Sequence, residues 1–194
     1  MRRFSYTAGM KNASGAYRID PRAFAQSSGR VAATDVLARY GRIVQECEGR
    51  GADVPVRWSA QGELREGASG QHQVWLHLRV DATLPMSCQR CLEQVAIPLL
   101  VDRSFRFVAD EAAAAAQDDD VEEDLLVLAA EFDLQQLVED EMLLALPLIA
   151  RHDVCPVPVR LAAADPGFDA AAPQRPNPFA QLARLKRDQG EGTK

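Results

Sequence analysis

Four side chains with metal-binding chemistry occur in this sequence as two short pairs. Cys88 and Cys91 form a Cys-x-x-Cys motif, and His152 and Cys155 form a second pair further along the chain. Thiolates and imidazole nitrogens are the usual ligands of tetrahedral zinc, and the short spacing within each pair lets both of its members reach one ion. The two pairs therefore predict a metal site in which zinc is held by Cys88, Cys91, His152 and Cys155.

Two other interpretations of the cysteines stay open. A redox-active Cys-x-x-Cys pair usually lies at a helix N-terminus, which lowers the pKa of a thiol, whereas Cys88 and Cys91 lie between two strand-like segments. Alternatively, both cysteines are reduced and stabilise a loop by packing. Only four cysteines occur in 194 residues, and no apolar secretory signal opens the chain, so we expect reduced thiols and a cytoplasmic protein.

The chain lacks the sequence signatures of the common enzyme classes. It has no phosphate-binding glycine loop, no dinucleotide fingerprint, no H-E-x-x-H metalloprotease motif and no G-x-S-x-G nucleophile motif. The longest apolar run, from Met142 to Ala150, is interrupted by Pro147 and is too short to cross a bilayer. We therefore expect a protein without a catalytic site, a small-molecule substrate or a membrane partner.

Apolar residues alternate with polar ones on both sides of the Cys-x-x-Cys motif. They occupy every second position from Val74 to Leu84 and again from Val95 to Phe107, where Arg103 is the exception. A period of two residues indicates strands with one buried face. The pattern predicts a long β-hairpin over about residues 73–108 that carries Cys88 and Cys91 at its tip.

Other segments complete an α+β fold, an antiparallel sheet packed against two helices at about 34–47 and 133–146. The first helix is predicted from Thr34 as its cap, and the second from Asp133 with Gln136, a capping-box spacing, ahead of Pro147. Short strands are expected at 16–19 and 125–128. A strand from Val54 to Ala60 contains Pro55, which favours an edge strand or a position at the margin of the sheet.

Composition divides the chain into three regions. Residues 1–30 are predicted to be a partly ordered N-terminal segment, and residues 31–165 a single α+β domain. Within this domain, residues 109–124 combine five consecutive alanines with an acidic cluster and are predicted to form a mobile loop. Residues 166–194 are predicted to be a proline-rich linker and a C-terminal tail helix.

Charge is strongly segregated along the chain, whose formal net charge is −6. Residues 1–108 contain 15 Lys and Arg against 10 Asp and Glu, whereas residues 109–194 contain 7 against 18. The stretch from Asp110 to Glu141 has 13 acidic residues and no Lys or Arg. Phosphate binding requires cations, so this stretch favours a basic protein partner over nucleic acid. The other interpretation is a solvated surface.

A direct RNA-binding role is the competing interpretation. Arg90 lies within the predicted hairpin loop, and Arg103 and Arg106 lie on the returning strand beside two phenylalanines. Basic and aromatic residues together suit phosphate contact and base stacking. The C-terminal Arg184, Lys186 and Arg187 would extend such a surface. On this interpretation the protein is a zinc-containing RNA-binding module.

Three blocks of sequence resemble one bacterial family. They are Cys88-Gln89-Arg90-Cys91-Leu92 after a long strand, the segment from Asp133 to Pro147 followed by His152-Asp153, and the terminal Pro176-Asn177-Pro178-Phe179 with Leu182 and Leu185. Together and in this order they resemble the YceD family of large ribosomal RNA subunit accumulation proteins.

The resemblance implies a cytoplasmic, non-catalytic factor for the synthesis, processing or stability of large-subunit (23S) ribosomal RNA. Combined with the acidic stretch, it suggests a ribosomal protein or RNA-processing factor as partner and only indirect or weak association with RNA. The expected partner-binding residues are Glu139, Asp140 and Glu141 on the second helix, Arg90 in the hairpin loop, and Asn177, Pro178, Phe179, Leu182 and Leu185 in the tail.

Overall fold

The structure, a computed structural model, describes residues 17–67 and 70–159. The strands in chain order are β1 Arg18–Ile19, β2 Arg30–Val36, β3 Pro55–Glu66, β4 His72–Ser87, β5 Gln94–Val108, β6 Asp124–Val127 and β7 Phe132–Asp133. The helices are α1 Pro21–Gln26, α2 Gly41–Glu46, α3 Glu111–Gln117 and α4 Leu134–Leu144. A five-stranded sheet has the order β2-β3-β4-β5-β6, and β1 pairs with β7 in a second, two-stranded sheet. The predicted α+β class is confirmed.

The β4–β5 hairpin is the longest pairing among these strands. It runs antiparallel from Ser87 opposite Gln94 to Val74 opposite Phe107, which confirms the predicted hairpin. The alternation places Leu76, Leu78, Val80 and their inward-facing neighbours in the core. Since side chains alternate between faces, the same register turns the polar residues of both strands, except Arg103, to the outer face of the sheet.

The sheet is mixed rather than wholly antiparallel. Strand β6 lies where the sequence predicts a strand, but it pairs in parallel with β5, from Phe105 opposite Asp124 to Val108 opposite Val127. The chain between these strands passes through α3, and such a crossover returns it in its original direction. The expectation of an all-antiparallel sheet is therefore wrong at this edge.

The helix predicted over 34–47 is mostly absent. Residues 30–36 form β2, Leu37–Arg39 form one 3₁₀ turn, and a helix occupies only Gly41–Glu46. Seven residues of β2 pair with β3, from Arg30 opposite Gln61 to Val36 opposite Pro55. The free energy of this long-range strand pairing outweighs the local preference for a helix that the spacing of apolar residues indicates. β-Branched residues such as Val31 and Thr34 also favour the strand.

Strand β3 is interior, although its proline predicts an edge. It pairs with β2 on one side and β4 on the other, so β2 is the edge strand. Pro55 is the first residue of β3, where the missing N–H interrupts no interior hydrogen bond. The proline thus indicates the start of the strand rather than its place in the sheet.

The predicted loop at 109–124 contains helix α3. Asp110 caps this helix by accepting a hydrogen bond from the Ala113 N–H at 2.8 Å. Alanine has the highest helix propensity of any residue type, and an N-cap residue stabilises the first turn of a short helix. The low sequence complexity here indicates a helix and not a mobile loop.

Helix α4 is confirmed in place and in its cap. The Asp133 carboxylate accepts hydrogen bonds from the Gln135 and Gln136 N–H groups at 2.9 and 3.1 Å, and the helix ends before Pro147. Helices α1, α2 and α4 all contribute to the core cluster, through Ala25, Ile43 and the buried face of α4. They therefore share the inner face of the sheet.

The predicted strand at 16–19 is present as the short β1, and Asp20 caps α1 directly after it. Helix α1 packs on β3, where Gly62 leaves room for the main chain at Ala25. Residues 1–16 and 160–194 lie outside the described residues. The partial order of the first thirty residues and the boundary near 165 therefore remain predictions.

A buried carboxylate joins the edge of the sheet to the core. Asp35 of β2 accepts hydrogen bonds from the Tyr40 hydroxyl at 2.9 Å, the Trp58 indole N–H at 2.8 Å and the Tyr17 hydroxyl at 3.1 Å. Arg39 forms an ion pair with it at 3.2 Å. Burial, reinforced by Asp35, raises the pKa of Tyr40, so its hydroxyl keeps the proton that it donates. Four donors thus compensate one buried charge.

Replacing Asp35 by Ala should lower the free energy of unfolding by about 3 kcal/mol, because the buried donors of Tyr40 and Trp58, the half-buried Tyr17 hydroxyl and Arg39 lose this acceptor. Urea denaturation followed by circular dichroism measures this loss. Asp81→Asn is the matched control, since Asp81 lies in an exposed ion pair with Arg57, for which a loss under about 1 kcal/mol is expected. Equal losses in the two variants would contradict the assigned role.

Candidate metal centre

The loop at the tip of the hairpin is a tight turn that brings two thiols together. The Leu92 N–H donates to the Cys88 carbonyl at 2.9 Å, and the Cys88 N–H donates to the Glu93 carbonyl at 2.8 Å. Leu92 takes a left-handed backbone conformation with φ of 64°, which is costly for a residue other than glycine. Its side chain is 77% exposed, so apolar packing does not compensate this strain.

The segment after α4 closes over this loop. The Gln89 N–H donates to the Ala150 carbonyl at 2.8 Å, and the His152 N–H donates to the Cys88 sulfur at 3.4 Å. These contacts bring the thiols of Cys88, Cys91 and Cys155 and a ring nitrogen of His152 within 4.8 Å of one another. The structure thus brings together all four residues predicted from the sequence as metal ligands.

Hydrogen bonding determines which ring nitrogen of His152 is available. The Nε2 atom lies 3.1 Å from the Gln94 carbonyl, which can only accept, so Nε2 carries the proton. In the neutral ring this leaves Nδ1 as the acceptor nitrogen, and it lies 3.4 Å from the Cys91 sulfur. Metal-binding histidines are commonly oriented in this way, with the second nitrogen donating to a carbonyl.

The environment separates the thiols into two kinds. Burial opposes ionisation of Cys88, but hydrogen bonds from the backbone N–H groups of His152, Cys91 and Arg90 outweigh it and lower the pKa of this thiol to about 5. Burial and hydrogen bonds to Cys91 and Cys88 raise the pKa of Cys155 to about 11. Backbone donors thus stabilise a thiolate at Cys88, the form that binds metals.

Tetrahedral zinc fits this donor set. Zinc–sulfur bonds of about 2.3 Å place neighbouring sulfurs about 3.8 Å apart, so ligand atoms already within 4.8 Å need to move only slightly. All three thiols are free of disulfides. A thiol–disulfide catalyst needs an accessible attacking sulfur, whereas Cys88 is fully buried. The arrangement therefore favours a structural metal over redox chemistry.

The acidic residues predicted to bind a partner are already engaged within the chain. Arg42 forms ion pairs with Glu139 at 3.0 Å and Asp140 at 2.6 Å. Glu141 is buried, with its carboxylate 3.7 Å from Arg103. Glu141, which the sequence suggested as a partner contact together with Glu139 and Asp140, lies instead on the core-facing side of α4.

The arginines of the predicted RNA surface do not form one patch. Arg106 is buried and bonded to Glu123 at 2.6 Å and to Gln117 at 3.0 Å, and Arg103 pairs with Asp124. Phe105 and Phe107 are in the core. Arg90 is exposed at the hairpin tip. The remaining predicted contacts, Asn177, Pro178, Phe179, Leu182 and Leu185 with Arg184, Lys186 and Arg187, lie outside the described residues.

Sequence reasoning missed the apolar surface around the metal centre. Leu148, Ile149 and Val154 are at least 62% exposed, and they flank the buried Ala150 and the ligand His152. The sequence pattern does not indicate this surface, because these residues follow neither a helical nor a strand-like period. Leu92 in the facing hairpin loop is exposed as well.

Comparison with known families identifies the chain. The profile described as "Large ribosomal RNA subunit accumulation protein YceD" matches residues 76–186, which is more than half of the chain. The protein belongs to the YceD family. The match begins on β4 and includes β5, the metal centre and α4, so it leaves out β1, β2 and β3.

Two further comparisons have negative results. No solved structure matches the chain. Among the described residues of this YceD family member, no helix combines the length and apolar character that a membrane span requires.

Replacing Glu141 by Gln should change how stability depends on pH. Burial raises the pKa of Glu141, with Arg103 opposing the shift and Asp124 and Asp140 adding to it. A raised pKa means that the folded state binds the proton more tightly, so this contribution is present at low pH and lost as pH rises through the folded-state pKa. The variant should therefore gain stability relative to the native protein as pH increases from about 4 to 7.

Urea midpoints measured across this pH range test the prediction. Glu122→Gln, at an exposed glutamate, provides a control with the same change in charge. A stability difference that stays constant with pH for Glu141→Gln, or that falls, would show that the carboxylate is not destabilised by burial.

Proposed function

We propose that this YceD family member is a non-catalytic cytoplasmic factor for the accumulation of large-subunit ribosomal RNA, that it contains a structural zinc ion, and that it acts through a basic protein partner. The observation that carries this proposal is the family match over the hairpin, the metal centre and α4. The name of the family specifies the RNA, and the geometry of the chain supports the two finer parts.

Zinc is supported by the way in which two distant segments meet. Cys88, Val95 and Ala150 form a small buried cluster of their own, separate from the main core. So few apolar contacts stabilise a pair of loops poorly, whereas a bound ion with four protein ligands contributes folding free energy directly. Zinc would thus connect the hairpin tip to the segment that follows α4.

A basic partner is supported by the acidic residues that remain exposed. Glu123, Asp124, Glu139 and Asp140 pair with arginines of this chain, but Asp118, Asp120 and Glu122 are exposed and have no ion pair among the described residues. We define these three as the acidic segment. Its uncompensated charge attracts a cationic surface and repels phosphate. The partner contact is therefore assigned here rather than to Glu141.

Metal analysis tests the zinc part. Purified full-length protein should contain about one zinc ion per chain by mass spectrometry, and Cys88→Ser or His152→Ala should lose most of it. Chelation should lower the melting temperature of the native protein. Cys47→Ala is the matched control, because Cys47 is a buried free cysteine in the main core, away from this site. It should retain zinc.

The absence of bound metal from freshly purified protein would contradict the zinc site. A disulfide between Cys88 and Cys91, found together with a measurable thiol exchange rate, would instead support a redox role. A protein with neither bound metal nor a measurable thiol exchange rate would mean that these cysteines only pack in the loop.

Affinity purification tests the partner. The native protein should retain a basic ribosomal protein or processing factor at low salt and release it at high salt, since salt screens exposed charges. Replacing Asp118 and Asp120 by Asn and Glu122 by Gln should reduce this retention several-fold. It should also lower the cellular ratio of large- to small-subunit ribosomal RNA.

The control neutralises three exposed carboxylates elsewhere, through Glu46→Gln, Asp53→Asn and Glu66→Gln, with the same change in net charge. If the control released the partner equally, net charge rather than the acidic segment would be responsible. Retention of RNA without any basic protein would contradict the proposed partner.

A further inference from the structure

A depression beside α4 has no part in the proposed function as stated so far. It has a volume of about 400 Å³ and lies where β1, β6, β7 and α4 meet. Its lining residues are Arg18, Leu126, Glu131, Phe132, Asp133, Gln136, Leu137 and Asp140. They include an apolar group and a charged group, and each group restricts what the depression can bind.

One face of α4 forms a wall of the depression. Gln136, Leu137 and Asp140 follow the cap residue of this helix by three, four and seven positions, so they lie on one side of it. Strand β7 leads directly into α4 and places Phe132 beside this face. The helical spacing thus places a carboxylate about one turn beyond an apolar side chain.

The apolar side chains of the depression are held by the core. Phe132 packs edge-on against Phe107, with ring centroids 5.1 Å apart. Leu137 is only 6% exposed, and Leu126 packs against the main core cluster. These contacts fix the three lining side chains, so the depression presents a defined apolar surface to whatever enters it.

Carboxylates outnumber arginines around the depression. Arg18 forms ion pairs with Glu131 at 2.9 Å and with Asp133 at 3.9 Å. Arg42 is shared in the same way between Asp140 and the preceding residue of α4. Each arginine therefore serves two carboxylates, which leaves an excess of negative charge even when every ion pair of these residues within the described part of the chain is counted.

Two carboxylate oxygens are available for a further donor. Glu131 bonds to Arg18 through Oε2, and Asp140 bonds to Arg42 through Oδ1. Among the described residues, no donor contacts Oε1 of Glu131 or Oδ2 of Asp140. The ion pair with Arg42 thus leaves one oxygen of Asp140 for another cation.

We propose that this depression binds an arginine side chain of the basic protein partner. The methylene groups of that arginine pack against Leu126, Phe132 and Leu137. Its guanidinium donates to the available oxygens of Glu131 and Asp140. The inference rests on the proposed basic partner, but it assigns a contact separate from the acidic segment.

Other occupants match the depression less well. A phosphate or an acidic side chain would be repelled by the excess of carboxylates. A purely apolar side chain would cover Leu126 and Phe132, but it would remove water from the carboxylates without replacing the lost hydrogen bonds. An arginine satisfies both groups, because it combines an apolar stem with a guanidinium whose N–H groups match carboxylate oxygens.

The acidic segment lies close enough for one partner to contact both sites. Leu126 follows Glu122 by four positions, and an extended chain spans at most about 14 Å over that length. The acidic segment attracts a basic partner over a distance, whereas the depression recognises one of its side chains in contact. The two sites therefore contribute differently to the same association.

Fluorescence anisotropy with two labelled basic peptides tests the depression. The first peptide has one arginine among lysines and small neutral residues. The second replaces this arginine by 2-amino-3-guanidinopropionic acid, which keeps the charge on a shorter stem. The full-length native protein should bind the second peptide about tenfold more weakly at low salt, because less of the stem is buried.

The double variant Glu131→Gln, Asp140→Asn should bind the arginine peptide several-fold more weakly and should prefer it by less than about twofold. The matched control is Glu46→Gln, Asp53→Asn, which makes the same change in net charge at exposed carboxylates and should keep the full preference. Neutralising the acidic segment should weaken the binding of both peptides equally. Melting temperatures confirm that all variants are folded.

Three results would each overturn the proposal. They are no binding of the arginine peptide by the native protein, equal binding of the two peptides, or loss of the preference in the control variant. Equal binding is also the result expected if another segment of this chain fills the depression. None of these results changes the retention of a basic partner by the acidic segment, so the two proposals can fail separately.

Discussion

The antiparallel register of β4 and β5 is the constraint on which the rest of the structure depends. A strand alternates its side chains with a period of two, so a slip of one residue would move Leu76, Leu78 and Val80 from the core to solvent. The same register determines where the hairpin ends, and so where Cys88 and Cys91 lie. Core packing and the position of the metal centre are thus consequences of one pairing.

Ion pairs within the folded chain balance much of the charge that is segregated along the sequence. Arginines of the first half, including Arg18, Arg42, Arg103 and Arg106, pair with carboxylates of the later acidic stretch. Folding therefore neutralises much of what the sequence presents as an acidic surface. Within the described part of the chain, the acidic segment beside α3 stays exposed without an ion pair.

The candidate metal centre lies where the buried apolar cluster is small. Ala150 and Val95 bury little area, while Leu92, Leu148 and Val154 remain exposed around them. A metal ion held by Cys88, Cys91, Cys155 and His152, as proposed, would connect the two segments without burying these side chains. The Nε2 hydrogen bond from His152 to Gln94 adds a second connection between the same two segments.

Local patterns in the sequence were sufficient for the hairpin, for the Asp133 cap of α4, and for the four candidate metal ligands that the structure brings together, because each depends on residue types a few positions apart. They failed where a distant partner decides the outcome. Residues 30–36 are a strand because β3 lies beside them, Asp35 is buried because Tyr17, Tyr40 and Trp58 converge on it, and Glu141 is internal because Arg103 lies opposite. Such pairings between residues far apart in the chain leave no periodic signal, so only the tertiary structure decides them.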